Sequence, residues 1–453
     1  MKTNTQITLA LTVLSLALLS ALSAQDKAPK DWPTDPSQLR LDVALNQPVM
    51  LADQKNTAYL RVGLKGFALK DVEQRAPINI AVVIDKSGSM SGEKIKKARE
   101  AAIMALKRLN SRDIVSVITY DSTVNVLIPA TKFSDRERIF RKIRNVNAGG
   151  NTALFAGVSK GAAEIRKFLN EEYVNRIVLL SDGLANVGPS SPAALGDLGG
   201  SLVKESISVT TIGLGTGYNE DLMTKLAYKS DGNHYFAEEA AELAHVFDKE
   251  FGSALSVVAQ EVRTEIKCAP GIRPVRLLGR QGEISGQSAV VFINQIYSEH
   301  EKFIMLEIEV PPTEKGQTRK VASVSVRYDN LKTHTGDKLS SSIEAKFSNS
   351  QALVEERTNG RVMVDVVELI AIERNKMALR FRDEGKVEEA RKTLIDNTRY
   401  LGENASRFKS KKLEAYSQHN YTDSQNLDEE GWSRQRKSMR EQQFQRTQQQ
   451  IQN

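Results

Sequence analysis

The apolar run INIAVVI (Ile78–Ile84) constrains the fold of this chain more than any other feature. A run without strict alternation is typical of a strand that is covered on both faces. Residues 92–109 follow it with apolar side chains at helical spacing, and the order of buried strand and helix recurs to about residue 253. The pattern predicts an α/β fold over residues 77–253, a doubly wound and mostly parallel sheet with helices on both faces.

The segments on either side of this unit alternate apolar and polar residues instead. Two such stretches lie in residues 38–76, and several more lie in residues 254–348. Two strands alone are not stable in water, so the first pair needs partners. We therefore predict one β-sandwich-like domain made of both segments, with the α/β domain inserted into it.

The remainder of the chain changes character again. Residues 349–417 have helical periodicity interrupted at Gly385, which predicts a helical hairpin. Residues 418–453 are polar and rich in Gln and Arg, and are expected to form a disordered or loosely helical tail.

Residues 1–24 have the composition of an export signal. Lys2 precedes an uncharged stretch rich in Leu and Ala that ends in small residues, ALSA, as a signal peptide does before its cleavage site. The alternative interpretation of residues 1–24 is an uncleaved membrane anchor. Residues 25–37 contain three prolines and are expected to form a linker, and no later run is long and apolar enough to predict a membrane span.

Cysteine and charge limit the possible chemistry further. Cys268 is the only cysteine, so an internal disulfide framework is excluded. It lies in phase with the apolar residues of a predicted strand and is expected to be a buried small hydrophobe rather than a reactive thiol. The net charge of +7 is modest and, except for a basic, Gln-rich tail, spread along the chain. It permits contact with an acidic surface but predicts no nucleic-acid reader.

Three loops of the α/β unit carry oxygen-bearing side chains. The sequence DKSGSM, at the carboxyl end of the first buried strand, contributes Asp85, Ser87 and Ser89. GGNTAL contributes Thr152, and LLSDG contributes Asp182 at the end of another buried strand. In an open α/β sheet, ligands bind at the carboxyl ends of the strands, and carboxylate and hydroxyl oxygens suit Mg²⁺ or Ca²⁺. The sequence therefore predicts a metal site.

This arrangement resembles the von Willebrand factor type A (VWA) domain and its metal-ion-dependent adhesion site. The family pattern is Asp-x-Ser-x-Ser, then a later Thr and a further Asp, and it falls on Asp85, Ser87, Ser89, Thr152 and Asp182. The chain resembles an exported bacterial type of VWA protein, similar to the VWA region of inter-alpha-trypsin inhibitor heavy chains and calcium-activated chloride channel regulators. It implies a bound Mg²⁺, Mn²⁺ or Ca²⁺ whose coordination is completed by an acidic group of a protein or extracellular-matrix partner. It also implies that ligand binding is coupled to the last helix, near residues 239–254, and through it to the β-domain.

The sequence gives little support for an enzymatic function. GSMSG has Met90 where a hydrolase elbow needs its serine, the five histidines form no HExxH pair, and no nucleotide-binding P-loop is present. We expect no enzymatic activity, but an exported protein, periplasmic, cell-surface or secreted, that mediates metal-dependent protein–protein interaction or adhesion. The alternative is a structural scaffold of a cell-envelope complex in which the metal is structural.

Overall fold

The computed structural model describes residues 37–69 and 74–450. The predicted signal peptide and residues 25–36 of the predicted linker lie outside the described residues. The strands, in chain order, are β1 (Arg40–Leu45), β2 (Val49–Leu51), β3 (Asn56–Lys65), β4 (Ile78–Asp85), β5 (Ile114–Tyr120), β6 (Val124–Lys132), β7 (Val174–Ser181), β8 (Ile207–Leu214), β9 (His234–Ala237), β10 (Val257–Cys268), β11 (Arg273–Leu278), β12 (Glu283–Ser285), β13 (Ser288–Tyr297), β14 (Glu301–Val310), β15 (Thr318–Asn330) and β16 (Thr335–Ser348). The helices are α1 (Glu93–Leu106), α2 (Arg136–Arg144), α3 (Leu154–Arg166), α4 (Pro192–Val203), α5 (Glu220–Lys229), α6 (Leu243–Ala254), α7 (Gln351–Glu356), α8 (Gly360–Asp383), α9 (Val387–Phe408), α10 (Lys411–Gln425) and α11 (Glu429–Gln448).

The α/β domain is built on a sheet with the strand order β6-β5-β4-β7-β8-β9. Its strands are parallel except β6, which pairs with β5 in the antiparallel sense. Every residue of β4, β5, β7 and β8 is buried, because helices cover both faces of the sheet. The predicted doubly wound α/β fold is confirmed.

The β-domain consists of two sheets with a shared apolar core. One sheet has the order β1-β3-β14-β11, and the other has the order β12-β13-β10-β15-β16-β2. Strands from before and after the α/β domain therefore pair directly, as in the register of Leu60 with Leu306. Cys268 is 2% exposed in β10, and its buried position agrees with the prediction.

The segment after β16 is helical to residue 448, and here the sequence prediction of a tail was wrong. The break of the hairpin falls at Gly385, which has a φ of 79° that favours glycine. Residues 411–425 and 429–448, mostly within the predicted tail, form α10 and α11. Met439 and Phe444 of α11 are buried, and Lys437 is buried against Glu220 at 2.9 Å. Ion pairs with the α/β domain thus stabilise α11, whose polar composition gave no indication that the helix would pack against a core. No described helix has the length and apolar content of a membrane span.

α11 also covers the outer edge of the α/β sheet. β9 is the last strand on that side, and its outward backbone N–H groups need acceptors. The N–H of Phe236 donates to Oε1 of Glu441 at 3.0 Å, and the N–H of His234 donates to Oε1 of Gln450 at 3.3 Å. Side chains of the C-terminal segment therefore complete the hydrogen bonding of this strand.

A fully buried ion pair inside the α/β domain is hydrogen-bonded to the β-domain. Arg176 of β7 donates through Nη1 to Oε1 of Glu250 on α6 at 2.8 Å, and both side chains are 0% exposed. Its Nη2 donates to Gln295 and, at 3.2 Å, to the hydroxyl of Tyr297, both on β13. The two domains therefore share these buried polar contacts as well as an apolar cluster, in which Tyr297 and Leu331 of the β-domain pack against the α/β domain.

Candidate metal centre

The candidate site lies where the strand order of the α/β sheet reverses. β4 ends at Asp85 and its neighbour β7 ends at Ser181, and the two strands are parallel. After β4 the chain crosses through α1 to β5 on one side, whereas after β7 it crosses through α4 to β8 on the other. Diverging connections leave a crevice at the carboxyl ends of the two strands, which is where open α/β sheets bind ligands.

Asp85 is held in a single orientation at the base of this crevice. One carboxylate oxygen accepts a hydrogen bond from the backbone N–H of Ser87 at 2.8 Å, and the other accepts from the hydroxyl of Ser181 at 2.7 Å. The residue is 0% exposed. Burial raises the pKa of Asp85 above its ordinary value, while the hydrogen bonds from Ser87 and Ser181 oppose that rise.

The two serines connect Asp85 to Asp182 across the crevice. The hydroxyls of Ser87 and Ser89 lie 3.1 Å apart, and the Ser89 hydroxyl donates to Oδ1 of Asp182 at 2.7 Å. Ser87 and Asp182 are each 2% exposed, whereas Ser89 is exposed. The cluster is therefore buried at its base and open to solvent on the side of Ser89.

The loop that carries Thr152 is attached to the first loop through the backbone. The N–H of Gly88 donates to the carbonyl of Gly150 at 2.9 Å, and the N–H of Gly149 donates to the carbonyl of Lys86 at 2.7 Å. Gly183 shows how tightly the loops meet, because a Cβ there would lie 3.3 Å from Ser89 Oγ and 3.4 Å from Thr152 Oγ1. The structure thus brings all five predicted residues to one place.

Three residues of the site were not predicted. Lys94, on the first turn of α1, donates to Oδ2 of Asp182 at 2.6 Å, with 39% of its side chain exposed. Ser181 orients Asp85, and the side chain of Asn186 accepts from the N–H of Thr152 at 2.9 Å. Ser181 could have been found as the last residue of a buried strand beside Asp182, but no sequence signal marked Lys94 or Asn186.

The donor set fits a hard divalent cation. Two carboxylates and three hydroxyls are oxygen ligands of the kind that Mg²⁺, Mn²⁺ and Ca²⁺ prefer. The Asp182 carboxylate is paired with the Lys94 ammonium at 2.6 Å, so a metal bound at this carboxylate would compete with Lys94. In the described part of the chain, no group of three or more His, Cys, Asp or Glu residues is placed to hold a metal, so hydroxyls would have to supply part of any coordination.

Comparison with known families decides what kind of domain carries this site. The family described as "von Willebrand factor type A domain" matches residues 79–249, from β4 into α6. These residues form a VWA domain. All five predicted ligands lie within the match, and VWA domains commonly mediate protein–protein interaction.

Relatives of the chain extend this finding. An uncharacterized protein of Synechocystis sp., sll0103, is 26% identical over 309 residues, which cover 64% of this chain and 71% of that protein. Inter-alpha-trypsin inhibitor heavy chain H3 of Rattus norvegicus is 30% identical over 176 residues, or 37% of this chain. The chain spans only 19% of that protein, but the predicted resemblance of the VWA domain to these heavy chains is confirmed.

Solved structures show that the fold is shared beyond the VWA domain. The von Willebrand factor type A from Catenulispora acidiphila has a TM-score of 0.69 at 16% sequence identity, covering 87% of this chain and 91% of that chain. At this identity the likeness concerns the fold alone. The β-domain and the helices around the VWA domain therefore belong to an architecture that another protein also has.

Proposed function

We propose that this chain is an exported protein whose VWA domain binds a protein partner through a divalent cation. The cation is held by the side chains of Asp85, Ser87, Ser89, Thr152 and Asp182. The observation that carries the proposal is the meeting of three loops at the switch point of the sheet, where Ser89 Oγ lies 3.1 Å from Ser87 Oγ and 2.7 Å from Asp182 Oδ1. The other residues of the site orient these oxygens.

The balance of charge in the site favours a metal that still attracts an acidic group. Only two of the five proposed ligands are carboxylates, and both oxygens of Asp85 already accept hydrogen bonds from the protein. The hydroxyls are neutral donors to the metal, so a bound divalent cation retains positive character. It supplies an electrophilic coordination position for a carboxylate of the partner. The exposed side of the cluster, at Ser89, is where such a group can approach.

Direct metal binding tests the first half of the proposal. We expect Mg²⁺ or Mn²⁺ titrated into the full chain to bind with a measurable heat at one site, and Asp85→Ala and Ser89→Ala to weaken that binding at least tenfold by removal of a ligand. Asp197→Ala is the matched control, since Asp197 is an exposed carboxylate on the same domain. Circular dichroism verifies that each variant is folded. Equal metal affinity in the wild type and Asp85→Ala would contradict the site.

Partner capture tests the second half. Immobilised full chain is incubated with cell-envelope extract in Mg²⁺ or in EDTA, and the proposal expects an acidic protein retained only with metal and lost in Ser89→Ala. Capture that is equal in EDTA and unaffected by the substitution would favour the alternative, a scaffold of an envelope complex in which any metal is structural. The two outcomes separate adhesion from assembly.

We also propose that the chain is a binding protein and not an enzyme. The Ser89 hydroxyl donates to a carboxylate and its other close neighbour is the Ser87 hydroxyl, whereas a serine nucleophile needs a general base such as an imidazole beside it.

The proposal of export rests on the sequence of residues 1–24 alone. Sequencing the N-terminus of the protein recovered from the cell exterior or periplasm tests it, and recovery only from the cytoplasm would contradict it.

A further inference from the structure

A cavity of about 490 Å³ opens between the VWA domain and the C-terminal helices, away from the metal centre. Its walls come from α4 and α5 on one side and from α8 and α11 on the other. Pro192, Ala193, Tyr228 and Phe444 give it apolar and aromatic surface. A volume between about 300 and 1,000 Å³ at a domain junction is typical of small-molecule sites.

The charged residues that line the cavity do not balance. Lys225, Lys376 and Arg440 supply three positive charges, and Asp221 supplies one negative charge, which leaves two positive charges unmatched within the lining. Asp221 is moreover shared, since it is 2.9 Å from Arg440 and 2.7 Å from Arg436. Carboxylates outside the lining, Glu373 near Lys376 and Glu220 and Asp383 near Arg440, offset part of this positive charge, and an anion in the cavity would offset the rest.

Lys376 and Arg440 are the cations that the C-terminal helices contribute to the cavity. Lys376 Nζ donates to the Thr447 hydroxyl at 3.3 Å, an interaction that leaves its charge unpaired. Burial and then the neighbouring Arg440 guanidinium lower the pKa of Lys376, and burial also lowers the pKa of Arg440. The buried Nε of Arg440 has no hydrogen-bond partner among the described residues. Lys376 therefore has unused donor capacity, whereas Arg440, which donates to Gln443 Oε1 at 3.2 Å and pairs with Asp221 at 2.9 Å, contributes mainly its positive charge.

The opposite wall positions Lys225, which is exposed at the rim. A Cβ at Gly196 would lie 3.0 Å from Cγ and 3.3 Å from Cε of Lys225, so the glycine leaves room for the lysine stem to lie along α4. Cations on facing walls can then reach the same anionic group or two groups of one molecule.

We propose that this cavity binds a small organic anion whose carboxylate or phosphate group is bound by Lys376, Arg440 and Lys225. The apolar body of the ligand packs against Tyr228 and Phe444. Because α11 forms one wall, the ligand would fasten α11 to the VWA domain. This site is independent of the proposed metal site.

Titration of the full chain with citrate and with glucose 6-phosphate, at constant ionic strength set by NaCl, tests the proposal and separates carboxylate from phosphate ligands. We expect saturable binding and a rise in the melting temperature with at least one anion. Lys376→Met and Lys225→Met are expected to weaken binding about tenfold each, as loss of a charged hydrogen bond does. Lys160→Met, an exposed lysine of the same domain, is the control and should bind as the wild type does.

The variants without ligand provide a second readout. If Lys376 serves an anion, Lys376→Met removes repulsion and melts no lower than the wild type in NaCl alone, whereas a structural lysine would lower the melting temperature when removed. Absence of saturable binding by both probes, or equal affinity of the wild type and the two cavity variants, would overturn the proposal. Loss of metal binding by the chain would not affect either result.

Discussion

The buried ion pair of Arg176 and Glu250 lies in the VWA domain where it meets the β-domain, and breaking this pair gives the most demanding test of the buried polar contacts. Arg176→Met removes a guanidinium that is 0% exposed and leaves the Glu250 carboxylate 0% exposed with only two donors, the Thr210 hydroxyl at 2.6 Å and the Asn233 amide at 2.8 Å. Breaking a buried pair from one side leaves an uncompensated charge, which costs about 3–5 kcal/mol. We expect the free energy of unfolding to fall by that amount.

Urea unfolding followed by circular dichroism measures this loss. Arg166→Met is the matched control, because Arg166 pairs with Glu205 through two hydrogen bonds of 2.6 and 2.8 Å but is 45% exposed. Such a surface pair contributes about 1 kcal/mol or less. A loss in Arg176→Met no larger than in the control would refute the reasoning.

The double variant Arg176→Met, Glu250→Leu makes the test specific. It removes both charges together, so we expect it to recover part of the stability that Arg176→Met loses; recovery is not complete, because Thr210 and Asn233 lose their acceptor. A double variant less stable than either single variant would show that packing, and not the unpaired carboxylate, causes the loss.

Two further results are expected. Lys94→Met should bind Mg²⁺ several-fold more tightly in calorimetric titration, because the ammonium 2.6 Å from Asp182 Oδ2 competes with the metal for this carboxylate, and unchanged affinity would contradict that role. Burial lowers the pKa of His234 from 6.5 to about 3 in the folded protein, so protonation of this side chain favours the unfolded chain. The contribution of neutral His234 to the free energy of unfolding is therefore fully present above pH 6.5 and is lost as the pH falls toward 3. The loss is about 2 kcal/mol at pH 5, and His234→Gln should lack it in urea unfolding at about pH 7.5 and pH 5; an identical pH dependence in both proteins would count against this.

The sequence predicted the α/β domain and its site because their signals are local. A strand buried on both faces, such as β4, is continuously apolar, and Asp85 follows it directly. Lys94 was not predicted, because its contact with Asp182 depends on how α1 packs over a loop 88 residues away. From Ile293 to Tyr297 the burial of β13 does not alternate, because the core of the β-domain covers one face of this strand and the VWA domain covers the other.

The packing of the C-terminal helices was also not predicted, again because their contacts are distant in the sequence. α11 is polar along its length, and composition alone indicates a tail. It is ordered by partners distant in the chain, among them Glu220, which accepts from Lys437 at 2.9 Å. Such long-range charge pairing produces no periodic pattern in the sequence, whereas an apolar stripe along the helix produces one.

The position of α11 on the edge of β9 sets an order of events in synthesis. The chain emerges from its N-terminus, so the VWA sheet can form while residues 429–450 are still unmade and the N–H groups of His234 and Phe236 have no acceptor. An open edge of this kind recruits strands from other chains. Each nascent molecule thus has an interval of vulnerability to misassembly, which ends only when α11 and Gln450 are in place.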